Sequence, residues 1–269
     1  MNGNTILRIS NLTVKFSTDE GNLRAVDKVN LDIKEGEAVG LVGESGCGKS
    51  TLALSILRLV PKPGHIVEGK IWFQGEDLLE KSESEMRKIR GKEISMVFQD
   101  PMNTLNPCYS IGWQIGEGIK LHERINDKAL YKRCIKVLEE VKISDPPSRL
   151  RQFPHHFSGG MRQRTVLAMA IACRPKLVIL DEPTTALDVT VQAKIMDLLQ
   201  MLRDEFNLSM LLISHDLGLV MERCDRVAVM YVGKMVELAE TDELFNHPRH
   251  PYTQALMSAV PIPDPTQKK

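Results

Sequence analysis

Two patterns of apolar residues divide the chain. Near the start, Leu12, Val14 and Phe16 alternate with Thr13 and Lys15, and Val29, Leu31 and Ile33 alternate with Asn30 and Asp32. A period of two gives one buried and one wet face, which predicts paired antiparallel strands, with Gly21-Asn22 as the turn signal between them. After Gly36 the alternation stops. Ala38-Val39-Gly40-Leu41-Val42 is continuously apolar, as are Leu177 to Leu180, Met210 to Ile213 and Val227 to Val232. Such runs predict strands covered on both faces. Among the later ones, Val191, Ile195, Leu198, Leu199, Leu202 and Phe206 fall on one face of a helix. Buried strands alternating with helices predict a parallel α/β sheet.

Residues 100–173 break that rhythm. They hold no clean buried-strand run and carry helical segments around Ile111 to Leu121 and Ala129 to Val141. This predicts a helical insert within an α/β core. The expected division is an antiparallel β subdomain and the first part of the core over 1–99, the helical insert over 100–173, the second part of the core over 174–240, and a C-terminal tail over 241–269. The tail reads HPRHPYTQALMSAVPIPDP over much of its length, rich in Pro and His.

Composition narrows the class. The chain has 269 residues, 42% apolar and 26% charged, enough to bury a core without disulfide staples. Its 35 basic residues balance 35 acidic ones, which argues against a general nucleic-acid binder. The five cysteines, Cys47, Cys108, Cys134, Cys173 and Cys224, form no CxxC pair and fit a reducing compartment. The longest apolar run, Val166 to Cys173, is eight residues, far short of the roughly 20 that span a bilayer. The start, MNGNTILRIS, lacks a signal-peptide stretch. The expectation is a soluble chain whose membrane role, if any, comes through a partner.

The chemistry begins at Gly43-Glu44-Ser45-Gly46-Cys47-Gly48-Lys49-Ser50, which fits G-x-x-x-x-G-K-[ST] between a buried strand and a helical pattern starting at Thr51. Glycines let the backbone bend so that successive N–H groups face phosphate oxygens, and the helix N-terminus adds partial positive charge. Lys49 can reach the β- and γ-phosphates, and the Ser50 hydroxyl can ligate Mg2+. The motif alone leaves kinases, GTPases and motor ATPases open. Leu177-Val178-Ile179-Leu180-Asp181-Glu182 ends a buried strand in two carboxylates, at the strand end where α/β ligands bind. Asp181 can hold Mg2+ through water. Consecutive side chains diverge, so Glu182 is available to polarise an attacking water.

Further features stand in a recognisable order: Phe16 upstream; Gln99 after Ile94-Ser95-Met96-Val97-Phe98; Phe157-Ser158-Gly159-Gly160-Met161 before a helix; Ala186-Leu187-Asp188 after Asp181-Glu182-Pro183; and His215 ending the Met210 to Ser214 run. From about Ile6 to Val260 the chain resembles an ABC-transporter ATP-binding subunit. FQDPMNTLNP at Phe98 to Pro107, DVTVQAKIMDLL at Asp188 to Leu199 and HPRHPYTQALMSAVP at His247 to Pro261 resemble the subunits of dipeptide and oligopeptide importers, wording shared with nickel and opine importers of the same group. Met161 stands where glutamine is usual in the wider family, although the peptide-importer group often has methionine. Members of that group commonly continue into a cysteine-bearing C-terminal extension, whereas this sequence ends at Lys269.

The resemblance implies a P-loop ABC ATPase fold with a RecA-like parallel-sheet core, an N-terminal antiparallel β subdomain and an inserted α-helical subdomain. It implies ATP and Mg2+ as ligands. ATP would be held by Phe16, Gly43, Glu44, Ser45, Gly46, Cys47, Gly48, Lys49, Ser50 and Thr51 of one subunit, and by Ser158, Gly159, Gly160 and Asp188 of the other. Phe16 would stack on adenine, the reading favoured over a simple core role, although it shares a strand face with Leu12 and Val14. Ser50, Gln99 and Asp181 would serve the metal. Glu182, His215, Gln99 and Lys49 would carry hydrolysis, His215 by bonding the γ-phosphate. Ser158 and Asp188 are also good helix N-caps, a role that can coexist with the functional one.

The implied partners are two membrane-spanning permease subunits, a second ATP-binding subunit packed head to tail, and a separate solute-binding protein, with the chain peripheral on the cytoplasmic face of the cell membrane. A DNA-repair ABC ATPase would place long coiled coils between phosphate loop and signature, and the short interval from Gln99 to Ser158 has no sustained heptads. A translation or regulatory ABC protein would carry two cassettes in one chain. A nucleotide kinase would leave the signature unexplained.

Overall fold

A computed structural model describes residues 4–19, 21–99, 104–184 and 188–258. Strands β1 (Thr5–Thr18) and β2 (Gly21–Lys34) pair antiparallel, as their period-two pattern predicts. Leu7, Ile9, Leu12 and Val14 on β1 and Val26, Val29, Leu31 and Ile33 on β2 are buried. Ile9 and Leu12 are three apart, as are Val26 and Val29, so strict alternation would send one of each pair to solvent. The register shifts between them, with Asn11 at φ 48° and Lys28 at φ 51°, and this irregularity returns both residues to the core face.

The chain then enters β3 (Ala38–Val42) and the helix α1 (Lys49–Ile56). It returns to the first sheet with β4 (Gly64–Phe73) and β5 (Glu76–Asp77), giving the order β2-β1-β4-β5. Helix α2 (Glu83–Ile89), capped reciprocally by Ser82 and Glu85, leads to β6 (Ile94–Val97). A helical stretch follows: α3 (Ile111–His122), α4 (Asp127–Glu140), α5 (Pro146–Arg149), a single 3₁₀ turn at Pro154–His156 and α6 (Gly159–Ile171). Ser110 and Asn126 cap α3 and α4 by accepting from the N–H groups of Trp113 and Ala129.

The core resumes with β7 (Leu177–Asp181), α7 (Val189–Phe206), β8 (Ser209–Ile213), α8 (Leu217–Arg223), β9 (Arg226–Tyr231) and β10 (Lys234–Glu240). The second sheet runs β10-β9-β3-β8-β7-β6, parallel throughout except for β10. Its strands read as continuous apolar runs because both faces are covered. Val39, Leu41, Ile179, Leu211, Ile213, Ala228 and Met230 face one core with the first sheet and α1. Their neighbours Ala38, Val42, Val178, Leu180, Met210, Leu212, Val227 and Val229 face the other, with α6, α7 and the insert.

The stripe on α7 is buried at Ile195, Leu198, Leu199 and Leu202, joined by Met196, with Val191 and Phe206 at its margins. Each such side chain contributes about 1.5–3 kcal/mol on burial. Arg174 pairs with the largely buried Glu140 of α4 and lies 3.8 Å over the Phe206 ring of α7, fastening the insert to the core. The run read as Val227 to Val232 needs correction at its end. Val232 lies outside the strand, 68% exposed at φ 44°, because the chain turns there into β10. Beyond Glu240 lie α9 (Thr241–Asn246) and α10 (Pro251–Ser258), anchored by the buried Leu244 and Thr253.

Candidate functional site

The loop between β3 and α1 closes on the Lys49 ammonium. Lys49 Nζ donates to the carbonyls of Gly43 and Glu44, both at 2.8 Å, and lies 3.8 Å from Cys47 Sγ, with only 6% of the residue exposed. The curvature requires glycine at two points. Gly43 has φ 148°, and a Cβ there would meet the Met230 carbonyl oxygen at 2.1 Å; Gly48 has φ 110° and would meet that of Ala25 at 2.1 Å. Cys47 N–H donates to Glu44 at 3.3 Å and Leu52 N–H to Gly48 at 2.9 Å, so the loop passes directly into α1. Ser45, Gly46 and Ser50 are exposed, and Thr51 is half-buried on the first turn.

Strands β3 and β7 are parallel and separated only by β8, so their carboxyl ends share one edge. There Asp181, at the end of β7, is 6% exposed. Burial pushes its carboxyl above the ordinary aspartate value; a hydrogen bond from Ser50 works against this, the Glu182 carboxylate adds to it and Lys49 opposes it. Glu182 follows at φ 49°, its N–H donating to the Ile213 carbonyl at 3.0 Å. Its Oε2 accepts from Gln99 Nε2 at 2.9 Å, and its Oε1 lies 3.4 Å from His215 Nδ1. Gln99 follows β6 and His215 follows β8, so three adjacent parallel strands each deliver one member of this cluster.

Phe16 is half-buried on β1, opposite Gly64 of β4 and Leu23 of β2. Its ring covers Gly64 so closely that a Cβ there would lie 2.6 Å from Phe16 Cε1. Ser158 caps α6, accepting from Met161 N–H at 3.4 Å, and Asp188 caps α7, accepting from Val191 N–H at 2.9 Å. The two helix starts are neighbours, since a Cβ on Gly160 would lie 2.9 Å from Val191 Cγ1. Among the described residues, no hydrogen bond or ion pair joins Ser158, Gly159, Gly160 or Asp188 to the phosphate loop. Ala186 and Leu187, which complete the motif before Asp188, lie outside the described residues.

The model of the family described as "ABC transporter" matches residues 26–185. The chain belongs to the ABC transporter family. Residues 236–269 of this cassette match a second model, "Oligopeptide/dipeptide transporter, C-terminal region". The cassette is 50% identical over 256 residues to the dipeptide transport ATP-binding protein DppD of Escherichia coli (strain K12), covering 95% of this chain and 78% of DppD. It is 49% identical over 257 residues to the oligopeptide transport ATP-binding protein OppD of Bacillus subtilis (strain 168), covering 95% and 72%. The fold matches the bacterial ABC transporter cassette MJ0796, solved as a dimer, with TM-score 0.78, 27% identity and coverage of 87% of this chain and 98% of that one. A post-hydrolysis dimer of MJ0796 bound to ADP and Pi matches with TM-score 0.76. The ABC ATPase fold is thus the fold of this cassette.

Sequence reasoning passed over Gln163. It is fully buried on α6, and its Nε2 donates to the Pro183 carbonyl, tying the signature helix to the segment just after Glu182. The signal was present: Gln163, Leu167 and Ile171 share the buried face of the cassette's α6 at a spacing of four. A glutamine on such a face needs a polar partner.

Proposed function

We infer that this cassette is the ATP-hydrolysing subunit of an ABC importer for dipeptides or oligopeptides. The observation that carries the hydrolytic part is Glu182, its carboxylate held between Gln99 and His215 beside the Asp181, Ser50 and Lys49 cluster. Lys49 exchanges its loop carbonyls for oxygens of the β- and γ-phosphates, and backbone N–H groups of the loop take the remaining phosphate oxygens. The exposed part of Phe16 offers a stacking surface to adenine. Glu182 polarises water for in-line attack on the γ-phosphorus, the Pγ–O bond to ADP breaks, and ADP and phosphate leave. His215 bonds the γ-phosphate.

Ser50 Oγ, the Gln99 amide oxygen and the Asp181 carboxylate are hard oxygen donors, which suits Mg2+. Mg2+ takes most of its ligands from phosphate and water, so few protein donors suffice to hold it. When bound, Mg2+ neutralises charge on the β- and γ-phosphate oxygens. Asp181→Asn should therefore lower Mg2+-dependent hydrolysis at least about 100-fold. It should also raise the melting temperature at neutral pH. The folded state raises this carboxyl's pKa, so it binds more protons than the unfolded chain, and stability falls as pH climbs from the unfolded to the folded value. A neutral amide escapes that loss. Calorimetry beside a phosphate-release assay checks both, and an unchanged or lower melting temperature would contradict the burial argument.

The transport part is supported by the dipeptide and oligopeptide transport roles named for DppD and OppD and by the C-terminal match. No helix among the described residues is long and apolar enough to cross a membrane, so a transport role calls for membrane-spanning partners. The proposed assembly has two permease subunits, a second ATP-binding subunit and a separate solute-binding protein, with this cassette on the cytoplasmic face. Reconstitution tests it: a peptide-loaded binding protein should stimulate phosphate release. Stimulation by a nickel-loaded binding protein alone would overturn the peptide assignment.

Ser158 makes no hydrogen bond to the cassette's own phosphate loop among the described residues, and in the head-to-tail pair that the family resemblance implies, the nucleotide it meets is the partner's. Ser158→Arg should leave this chain's own ATP affinity within about twofold, with a small stability loss from the missing cap. Hydrolysis should fail at the site whose phosphate loop belongs to the partner, because bulk and charge block closure. Titration of the isolated subunit, and turnover with the other site silenced, read the two effects separately. Normal turnover at the opposed site would refute the assignment.

A further inference from the structure

One contact on the phosphate loop has no part in the hydrolytic chemistry. Tyr252 of α10 accepts a hydrogen bond from Glu44 N–H at 3.0 Å, across 208 residues of sequence. Its ring meets that of Tyr231, the last residue of β9, with centroids 4.3 Å apart. Two residues beyond Tyr231, Gly233 N–H donates to the Cys47 carbonyl at 2.9 Å. The loop is therefore held from outside at two peptide groups, Cys47 by the turn between β9 and β10, and Glu44 by α10.

Tyr252 is itself fixed. Glu237 on β10 accepts from Arg249 N–H at 2.9 Å and His250 N–H at 3.0 Å, and His250 Nδ1 accepts from Tyr252 N–H at 3.2 Å. Thr253 beside it is fully buried. Burial works against the Glu237 charge, yet the Thr253 hydroxyl, followed by the Arg249 and His250 N–H groups, holds its carboxyl below the usual range, so the anchor stays ionised. Burial raises the Tyr252 phenol, which keeps its proton at neutral pH. Glu44 and Ser45 lie between Gly43 and Gly46, both at positive φ (148° and 79°), and glycine's broad backbone freedom at these two flanks gives an outside hydrogen bond something to restrain.

We propose that Tyr252 is a positioning residue for nucleotide binding: its hydroxyl holds the Glu44 peptide so that the mouth of the loop is ordered before phosphate arrives, coupling the loop to docking of α10. The proposal rests on the reading of residues 43–51 as the nucleotide phosphate site. Ordering the loop beforehand removes part of the entropic cost of binding. Coupling is reciprocal, so bound ATP tightens α10 by the same factor.

Tyr252→Phe in the full chain keeps the ring on Tyr231 and removes the acceptor. The Glu44 amide proton should move upfield in the nuclear magnetic resonance spectrum and exchange faster. The Kd for ATP with Mg2+ should rise about 3–10-fold, the weight of one hydrogen bond, while kcat at saturating ATP in the assembled transporter stays within about twofold. In the wild type, ATP should slow exchange at Gln254 N–H, which bonds the His250 carbonyl at 3.0 Å, and the variant should lose part of that protection. A variant that binds ATP as tightly as a wild type that binds it well overturns the proposal. So does a variant that melts earlier and loses kcat with Kd unchanged, which marks a merely structural tie. A wild type that fails to bind ATP sinks the phosphate-site reading itself, a different result.

Discussion

Glu182→Gln should leave ATP binding intact and slow hydrolysis by about 100-fold or more, the usual loss on removing a positioned general base. The substitution is close to isosteric. Its amide oxygen can accept from Gln99 Nε2 where Oε2 now does at 2.9 Å, and its NH2 can face His215 where Oε1 now lies at 3.4 Å. What is lost is a group able to take a proton from water. ATP with Mg2+ should then accumulate a closed pair of ATP-binding subunits, read as a rise in scattering mass. Rapid single-turnover hydrolysis at this site would show that another group activates the water.

Lys49→Ala should be still more damaging, because it removes both the phosphate-binding cation and the centre of the loop. Two carbonyls, those of Gly43 and Glu44, now share the ammonium at 2.8 Å. Truncation takes away their donor and leaves a hole where the backbone curls. ATP affinity should fall at least about 100-fold, in line with the loss of two or more charge-assisted hydrogen bonds of about 1.5–3 kcal/mol each. Phosphate release should reach background. Lys49→Arg should not restore it, since a planar guanidinium does not fit the space of a compact ammonium. Titration with a fluorescent nucleotide and a phosphate-release assay in the assembled transporter check both variants. Wild-type turnover in either would remove Lys49 from the mechanism.

Several parts of the molecule were legible from residues alone because their causes are local. Continuous apolar runs gave β3, β7 and β8, since a strand covered on both faces needs no polar alternation, and every position in each is buried. The phosphate loop was legible because its glycines answer to steric demands visible in their spacing, borne out at Gly43 and Gly48. The stripe on α7 was legible from its period. The same local reading overran at Val232, where an apolar side chain sits exposed in a turn that hydrophobicity does not announce. At Phe16 it favoured a contact surface for adenine over a place in the core. The half-buried ring on Gly64 shows one part used in packing and the rest open.

The sequence by itself determined the strands and helices with a clear apolar period, the helix caps Ser158 and Asp188, and the chemical types at the strand ends. Only the tertiary structure decided which of those types meet. Gln99 and Glu182 are 83 residues apart and share a hydrogen bond because the sheet places β6 beside β7 after the whole helical insert. Tyr252 reaches Glu44 because the chain beyond β10 packs back onto the loop, and Gln163 finds Pro183 because α6 packs beside the end of β7. Periodicity and turn chemistry follow from neighbours along the chain. Strand order and the docking of distant segments follow from which apolar faces can be buried together, and that competition involves the whole chain at once.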